Sequence, residues 1–359
     1  MKAERFVRKI CEGLKKIMDP DRSSPGVALI MVLWVITILF VVVLEFSFAM
    51  RTEIQAARNY QQELQLYAIA EGGIERAVAE LVYKHDARIQ QMRRNLREEE
   101  VPPEQREWIT DGREYSLAMA RGDCTIRIFG EAGKININQV SDTTLRKILT
   151  NLVLREEEKR DIVVDSILDW RDPDDFYRLN GAEDDHYQSL KDPYHCKNAN
   201  LDSIEELLLV RGVTAELFYG EKKGDEPESA EERVEPVGLK DIFSIYSMGE
   251  QIDLNSAAWP VLRVGLGLPR EIARLIIKAR EEKGFENQLD LMQRVPEIAP
   301  FMGEIGRFLL FRAVIPYYTI EVKAKAKEAG AVRGLKVIVK IDPQEKGGRK
   351  MIQWLDVFS

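Results

Sequence analysis

Cysteine and histidine are scarce: three of each in 359 residues. No CxxC pair and no zinc-ligand spacing occurs, so a zinc ribbon or a dithiol redox site is excluded. His85, His186 and His195 are scattered. No Ser/His/Asp arrangement and no Gly-rich phosphate loop accompanies them, which removes the usual parts of a hydrolase or a nucleotide-dependent enzyme. Basic excess is also missing: 52 Lys and Arg stand against 60 Asp and Glu, for a net charge of −8, which opposes a general nucleic-acid binder. Hydrophobic content of 45% and charged content of 31% suit a folded body, and the length leaves room for two or three domains.

The most organised stretch is apolar. From Val27 to Leu44 the chain reads VALIMVLWVITILFVVVL, eighteen residues with Thr37 the sole polar one. At ~1.5 Å per residue this is roughly 27 Å of helix, close to one bilayer core. Ahead lie Lys2, Arg5, Arg8, Lys9, Lys15, Lys16 and Arg22 against Glu4, Glu12, Asp19 and Asp21. That leader, at about +3, stays cytoplasmic by the positive-inside rule, and the rest of the chain is exported. The run exceeds the ~7–15 apolar residues of a cleaved signal peptide. Gly26 at the junction resembles the type IV prepilin signal, in which a peptidase cuts after the glycine and the apolar helix is retained. The resemblance assigns Gly26 and Val27 to processing. Prepilins usually carry Glu five residues into the mature chain; here that residue is Met31.

Past Arg51 the helical period continues through Ala56, Tyr60, Leu64, Tyr67, Ala70, Ile74, Ala77 and Leu81, a stripe expected to lie on a sheet. Gly72-Gly73 within it signals either close packing or a bend. Residues 84–112, with Pro102-Pro103, read as a charged surface loop. Alternation in Tyr115, Leu117, Met119 and in Ile126, Ile128 predicts two strands, with Gly122-Asp123 as their turn. At the other end, Ile320 to Ala326, Leu335 to Ile341 and Met351 to Phe358 predict three more, turning at Gly330 and Gly347-Gly348.

Between them the texture is helical and weakly repetitive. Asn136-Ile-Asn138, Asn198-Ala-Asn-Leu-Asp202 and Asp253-Leu-Asn255 each precede a serine, Ser141, Ser203 and Ser256, placed as an N-cap. The stretch from Gln251 to Pro296 resembles a helix-hairpin-helix repeat, with Arg263, Arg270, Arg274, Lys278 and Arg280 nearby. A membrane-anchored DNA-uptake receptor is therefore the rival reading. Against it, residues 155–206 hold seven basic and sixteen acidic side chains. Within them Asp169, Asp172, Asp174, Asp175 and Glu183 are candidate ligands for a hard cation such as calcium; a solvated loop paired by Arg171 and Arg178 is the other reading. Gly220 to Gly238 is polar and Pro-containing and reads as a mobile loop. Cys11 falls in the leader. Cys124 and Cys196 both reach an oxidising compartment and form the candidate disulfide.

Gly26, GEAGKININ at 130–138, ILDWRDPDDFYRLNGAEDDHY at 167–187 and PYHCKNANLDSIEELLLVRGV at 193–213 together resemble the K-type minor pseudopilins of type II secretion systems, general secretion pathway protein K. Members typically lack the Glu replaced here by Met31. The resemblance implies an α+β fold: a pilin-like long helix and antiparallel sheet with a large helical insert. The expected division is a leader at 1–26, the helix at 27–83, the first part of the body at 84–135, the insert at 136–312 and closing strands at 313–359. It further implies a non-catalytic subunit, anchored once in the inner membrane with a periplasmic head. Its partners would be prepilin peptidase and the other minor pseudopilins at a filament tip, with structural calcium in the head and no nucleic acid.

Overall fold

The computed structural model describes residues 25–86, 88, 91, 108–152, 156–220, 237–313, 315–327 and 331–357. The leader, Pro102-Pro103, the loop expected after Gly220 and the turn at Gly330 lie outside them. The chain falls into two units, Met1–Leu64 and Gln65–Ser359.

Helix α1 is continuous over Pro25–His85. In the first unit its apolar side chains from Val27 to Phe48 are exposed, except half-buried Met31. Among the described residues it is the one helix long and apolar enough to cross a membrane, with a mean hydropathy of 3.3 and no buried residue in the apolar window. The hydroxyl of Thr37 donates to Leu33 O at 2.7 Å, so the one polar side chain of the run needs no water.

In the second unit α1 packs through Leu66, Ile69, Ala70, Ile74, Ala77, Val78 and Leu81, all buried. Ala56, Tyr60 and Leu64 of the expected stripe belong to the first unit and are exposed there. The glycine pair is a contact point. A Cβ on Gly73 would stand 2.9 Å from Val322 Cγ1 and 3.0 Å from Cys124 Sγ, so the helix backbone lies almost directly on the sheet.

That sheet has five antiparallel strands in spatial order β1 (Asp111–Met119), β2 (Gly122–Gly130), β3 (Tyr317–Ala326), β4 (Val332–Ile341) and β5 (Arg349–Val357). Cys124, Ile126, Ile128, Ile320, Val322, Leu335, Val337 and Val339 face α1, each aliphatic side chain contributing ~1.5–3 kcal/mol by burial. The β1–β2 turn is Ala120-Arg121, because Met119 pairs directly with Gly122. Gly122 and Asp123 are instead strand residues. A Cβ on Gly122 would meet Lys325 O at 2.4 Å, so this glycine serves the approach of β3. Gly347 and Gly348, with φ of +79° and +72°, make the β4–β5 turn as expected.

The insert leaves the sheet after Gly130 and returns at Tyr317, a few residues wider at each end than 136–312. Its core is separate from the sheet core and includes Ile135, Ile148, Ile167, Trp170, Tyr187, Phe243, Leu262, Ile276 and Phe285. The main helices are α2 (Asp142–Asn151), α3 (Glu157–Arg171), α4 (Arg270–Glu282) and α5 (Gln288–Arg294). Ser141 caps α2, accepting from Thr144 N. Ser203 forms a capping box with Glu206 on the short turn Ile204–Leu209. Ser256 is no cap: its hydroxyl donates to Asp253 Oδ2 at 3.1 Å, inside a turn that ends before the next helix.

The weak repeat is a repeated polar latch. Ile135–Asn136 pairs in parallel with Phe243–Ser244, and Ile252–Asp253 with Leu309–Leu310. Asn136 Oδ1 accepts from Asn138 N, and Asp253 Oδ1 from Asn255 N. Asn138 clasps both backbone groups of Leu201; Asn255 accepts from Phe285 N and donates to Phe285 O. Arg171, ending α3, donates to Ile137 O and Val140 O; Arg280, near the end of α4, donates to Leu254 O and Ala257 O.

Two clamps join insert to sheet. Gly112, at φ +85°, makes a bulge at the start of β1, and bulges re-aim neighbouring side chains. Asp111 beside it meets Arg280 at 2.9 Å, with the side chains 2% and 1% exposed. Arg113 completes the pairing at 2.8 Å. Glu131, also buried, accepts from Thr319 Oγ1 at 2.7 Å and from Lys134 at 3.2 Å. Burial pushes the Asp111 carboxyl up, but Arg113 and Arg280 outweigh it and hold the group below its ordinary value. Asp111→Ala leaves Arg280 buried and unpaired, and is expected to cost ~3–5 kcal/mol in chemical denaturation; a loss under about 1 kcal/mol would contradict the clamp. Because the folded-state pKa is depressed, the pair's contribution is full above 3.8 and fades as pH falls below it.

Candidate functional site

The repeat isolates the part of the insert that needs a separate explanation. Arg280 and Phe285 are five positions apart, whereas their counterparts Arg171 and Leu201 are thirty apart. The excess is the acidic segment following Asp172, added to one copy of a unit that closes without it in the other.

Asp169 sits in the last turn of α3 and is fully buried. Its Oδ1 accepts from Arg178 Nη1 at 2.5 Å and its Oδ2 from Arg178 N at 3.1 Å. The same guanidinium nitrogen reaches Asp172 Oδ2 at 2.6 Å. Gly181 closes the other side, where a Cβ would overlap Asp169 Oδ2. Upstream, Asp165 accepts from Arg146 at 2.5 Å and from both Asn180 N and Nδ2 at 3.1 Å, fixing the end of the loop. Asp175 accepts from Asn198 Nδ2 at 2.7 Å. The floor is aromatic: Trp170 and Tyr187 meet edge to face at 5.1 Å, and Tyr187 meets Tyr194 at 5.3 Å.

Glu183 is 2% exposed, and its carboxylate faces the Cys196 thiol with no nitrogen or oxygen donor on either oxygen. Burial raises its carboxyl to about 7; the Cys196 thiol works the other way, and the negative charges of Asp169, Asp172 and Asp175 add to the rise. Asp172 Oδ1 and Asn198 Oδ1 are buried without partners. Asn198 holds a left-handed backbone, φ +45°, as the one non-glycine residue of positive φ among those described.

Of the expected ligands, Asp169, Asp172, Asp175 and Glu183 thus share one electrostatic environment. Asp174 does not join them: its Oδ1 accepts from Phe176 N at 2.9 Å in a local turn. Asn198 is the addition that sequence reasoning missed, since its motif signalled the repeat rather than a ligand. Buried, unpaired oxygens fit a hard cation, which takes six to eight of them. Among the described residues no three His, Cys, Asp or Glu groups already converge as a metal set; a guanidinium stands between Asp169 and Asp172 instead.

The disulfide expectation is corrected. Cys124 and Cys196 are both free. Cys124 lies in the sheet core against Gly73, and Cys196 lies in the insert core beside Glu183, so each thiol is enclosed by different elements. Several of the hairpin groups that could grip a phosphate are already engaged. The amides of Leu266 and Leu268 bond to Val261 O and Leu262 O, Arg263 turns back to Leu268 O, Arg274 pairs with Glu271 and Arg280 is buried.

Residues 131–219, the start of the insert including the acidic segment, match the protein family described as Type II secretion system (T2SS), protein K. That part of the chain is similar to the family. The type II secretion system protein K of Pseudomonas aeruginosa is 25% identical over 79% of this chain and 81% of its own length. That of Pectobacterium carotovorum is 36% identical over 20% of this chain and 22% of its own length. A solved chain in the GspK-GspI-GspJ complex of the enterotoxigenic Escherichia coli type 2 secretion system has the same fold. It is 17% identical, covers 86% of this chain and 100% of that one, and has a TM-score of 0.53. These likenesses support a minor pseudopilin function in type II secretion, and none of the relatives named here favours the DNA-uptake reading.

Proposed function

We propose that this chain waits in the inner membrane on α1, is trimmed after Gly26, and joins the other minor pseudopilins at the tip of the pseudopilus, where it starts or caps the filament that drives export. The observation that carries this reading is the insertion of a whole helical body between β2 and β3 of a pilin-like sheet. A head of that kind is bulky for a repeating subunit and suits one end of a filament. Met31 supports it: with no carboxylate at that place, the mature chain cannot neutralise a neighbour's terminal amine inside the membrane, where an unpaired charge is costly. The role is one of assembly, without catalysis.

We infer as well that Asp172, Asp175, Glu183 and Asn198 hold a structural calcium ion. The orphaned oxygens of Asp172 and Asn198 and the buried carboxylate of Glu183 are the support, and the ion would supply the positive charge that Glu183 lacks.

Co-expressed with the other minor pseudopilins of its own system, the full chain is expected to co-purify with them in detergent; its isolation alone would overturn the tip assignment. Gly26→Ala is expected to leave an unshifted precursor band, and normal processing would remove the cleavage assignment. Calcium should raise the melting temperature over that in chelator, and Glu183→Gln should abolish the difference. Equal melting of the wild type in both would remove the ion.

A further inference from the structure

The cations of this chain are unevenly committed. In the insert, Arg146 is paired with Asp165, Lys147 with Glu304 and Lys197 with Glu206. On the sheet, Arg121, Lys323, Lys325 and Lys327 are exposed, and among the described residues none of the four has an ion pair or a side-chain hydrogen bond. We propose that this basic patch is the docking face for a carboxylate-bearing surface of the neighbouring subunit in the filament. The proposal rests on the tip assignment above and deepens it, naming the face and the chemistry of what it meets.

Three observations lead here. First, the lysines are aligned. Val322, Ala324 and Ala326 of β3 are buried in the core shared with α1, so Lys323 and Lys325, at a period of two, project from the opposite face. Lys327 follows them, and its amide donates to Arg121 O at 3.5 Å, which draws the β1–β2 turn into the same patch. In register with Lys323 stand Thr125 and Gly334, and with Lys325 stand Asp123 and Val332. One carboxylate thus stands among four cations, an arrangement that gains when a partner supplies the missing counter-charge. Second, the patch is open where the rest of that face is closed. Towards the other end of β3, Thr319 is buried and bonded to Glu131 of the insert. Third, the patch has a direction. Gln65, the first residue of its unit, donates through Nε2 to Arg121 O at 2.9 Å. His85, at the far end of α1, meets Tyr318, where the insert returns to the sheet. The patch therefore marks the end of the head from which the chain runs back to its apolar stem, and subunits packed stem against stem meet at that end. Stems held side by side give a high effective concentration, so a charge contact screened within ~8 Å still selects and orients a partner.

The test co-expresses the full chain with the other minor pseudopilins of its own system and purifies it in detergent at low and at high salt. Wild type is expected to recover its partners at low salt and less of them as salt rises. The amides of residues 118–123 and 322–327 are expected to exchange hydrogen more slowly in the complex than in the chain alone. Lys323→Glu, Lys325→Glu and Lys327→Glu combined, all at exposed positions, should recover at least about 10-fold less partner, because a reversed patch repels. The same three changed to Arg should stay near wild type. If the Glu variant fails to fold by circular dichroism, the three changed to Gln carry the test together with hydrogen exchange of the wild type. A folded Glu variant that recovers as much partner as wild type, or unslowed exchange at both segments in the complex, overturns the docking face and leaves the tip assignment standing. Equal loss in the Arg and Glu variants overturns recognition by charge. Wild type that recovers no partner at any salt overturns the tip assignment and this proposal with it.

Discussion

The structure depends on a buried charge pair between two bodies that have separate cores. Asp111, turned inward at the Gly112 bulge, and Arg280, near the end of α4, meet out of water. Such a pair adds little net stability over an apolar equivalent, because desolvation consumes most of the attraction. Its contribution is orientation. Apolar surfaces tolerate sliding; a guanidinium with one buried carboxylate and two carbonyls, Leu254 and Ala257, does not. Arg280 therefore fixes at once the second repeat's turn and the placement of that turn on the sheet.

Its counterpart Arg171 performs the first half of that task only, latching Ile137 and Val140 with no carboxylate from the sheet in its bonding. The two repeats are thus the same device put to different uses. The second is the joint. The first, relieved of that duty, carries the acidic segment, and the cost of its clustered carboxylates is visible in Glu183, whose charge is opposed by burial and by its neighbours.

Legibility in the sequence followed the range of the interaction. The apolar run, the strand alternation and the Ser141 cap are local patterns, and each was readable from a few residues. The Gly72-Gly73 pair was readable as an alternative, and needed Val322 and Cys124 to settle it as close packing. Gly122 misled because a glycine beside an aspartate looks like a turn, whereas its reason lies in β3, some two hundred positions away. The repeat was visible in Asn136-Ile-Asn138 and Asp253-Leu-Asn255, but the arginines that complete it had no pattern of their own. In the acidic segment, composition pointed to the carboxylates and could not separate Asp174, spent on its own turn, from Glu183, buried against a thiol. Asn198 was invisible because a backbone in the left-handed region is what brings it there. The cysteines were read by compartment, and compartment says nothing about which core encloses a thiol.

Gly130 and Tyr318 are register partners in adjacent strands, though the whole insert lies between them. The chain thus leaves and re-enters the sheet at one doorway. Bringing two distant points together in a floppy polymer carries an entropic charge that grows with the logarithm of the intervening length. An intervening stretch already condensed around Ile148, Trp170 and Ile276 escapes most of it. For a nascent molecule threading outward from its amino end, β2 emerges long before the strand it must zip against. The sensible order of events is that the middle matures first and hands its two ends back as a ready-made hinge, leaving the pilin-like face to be finished last.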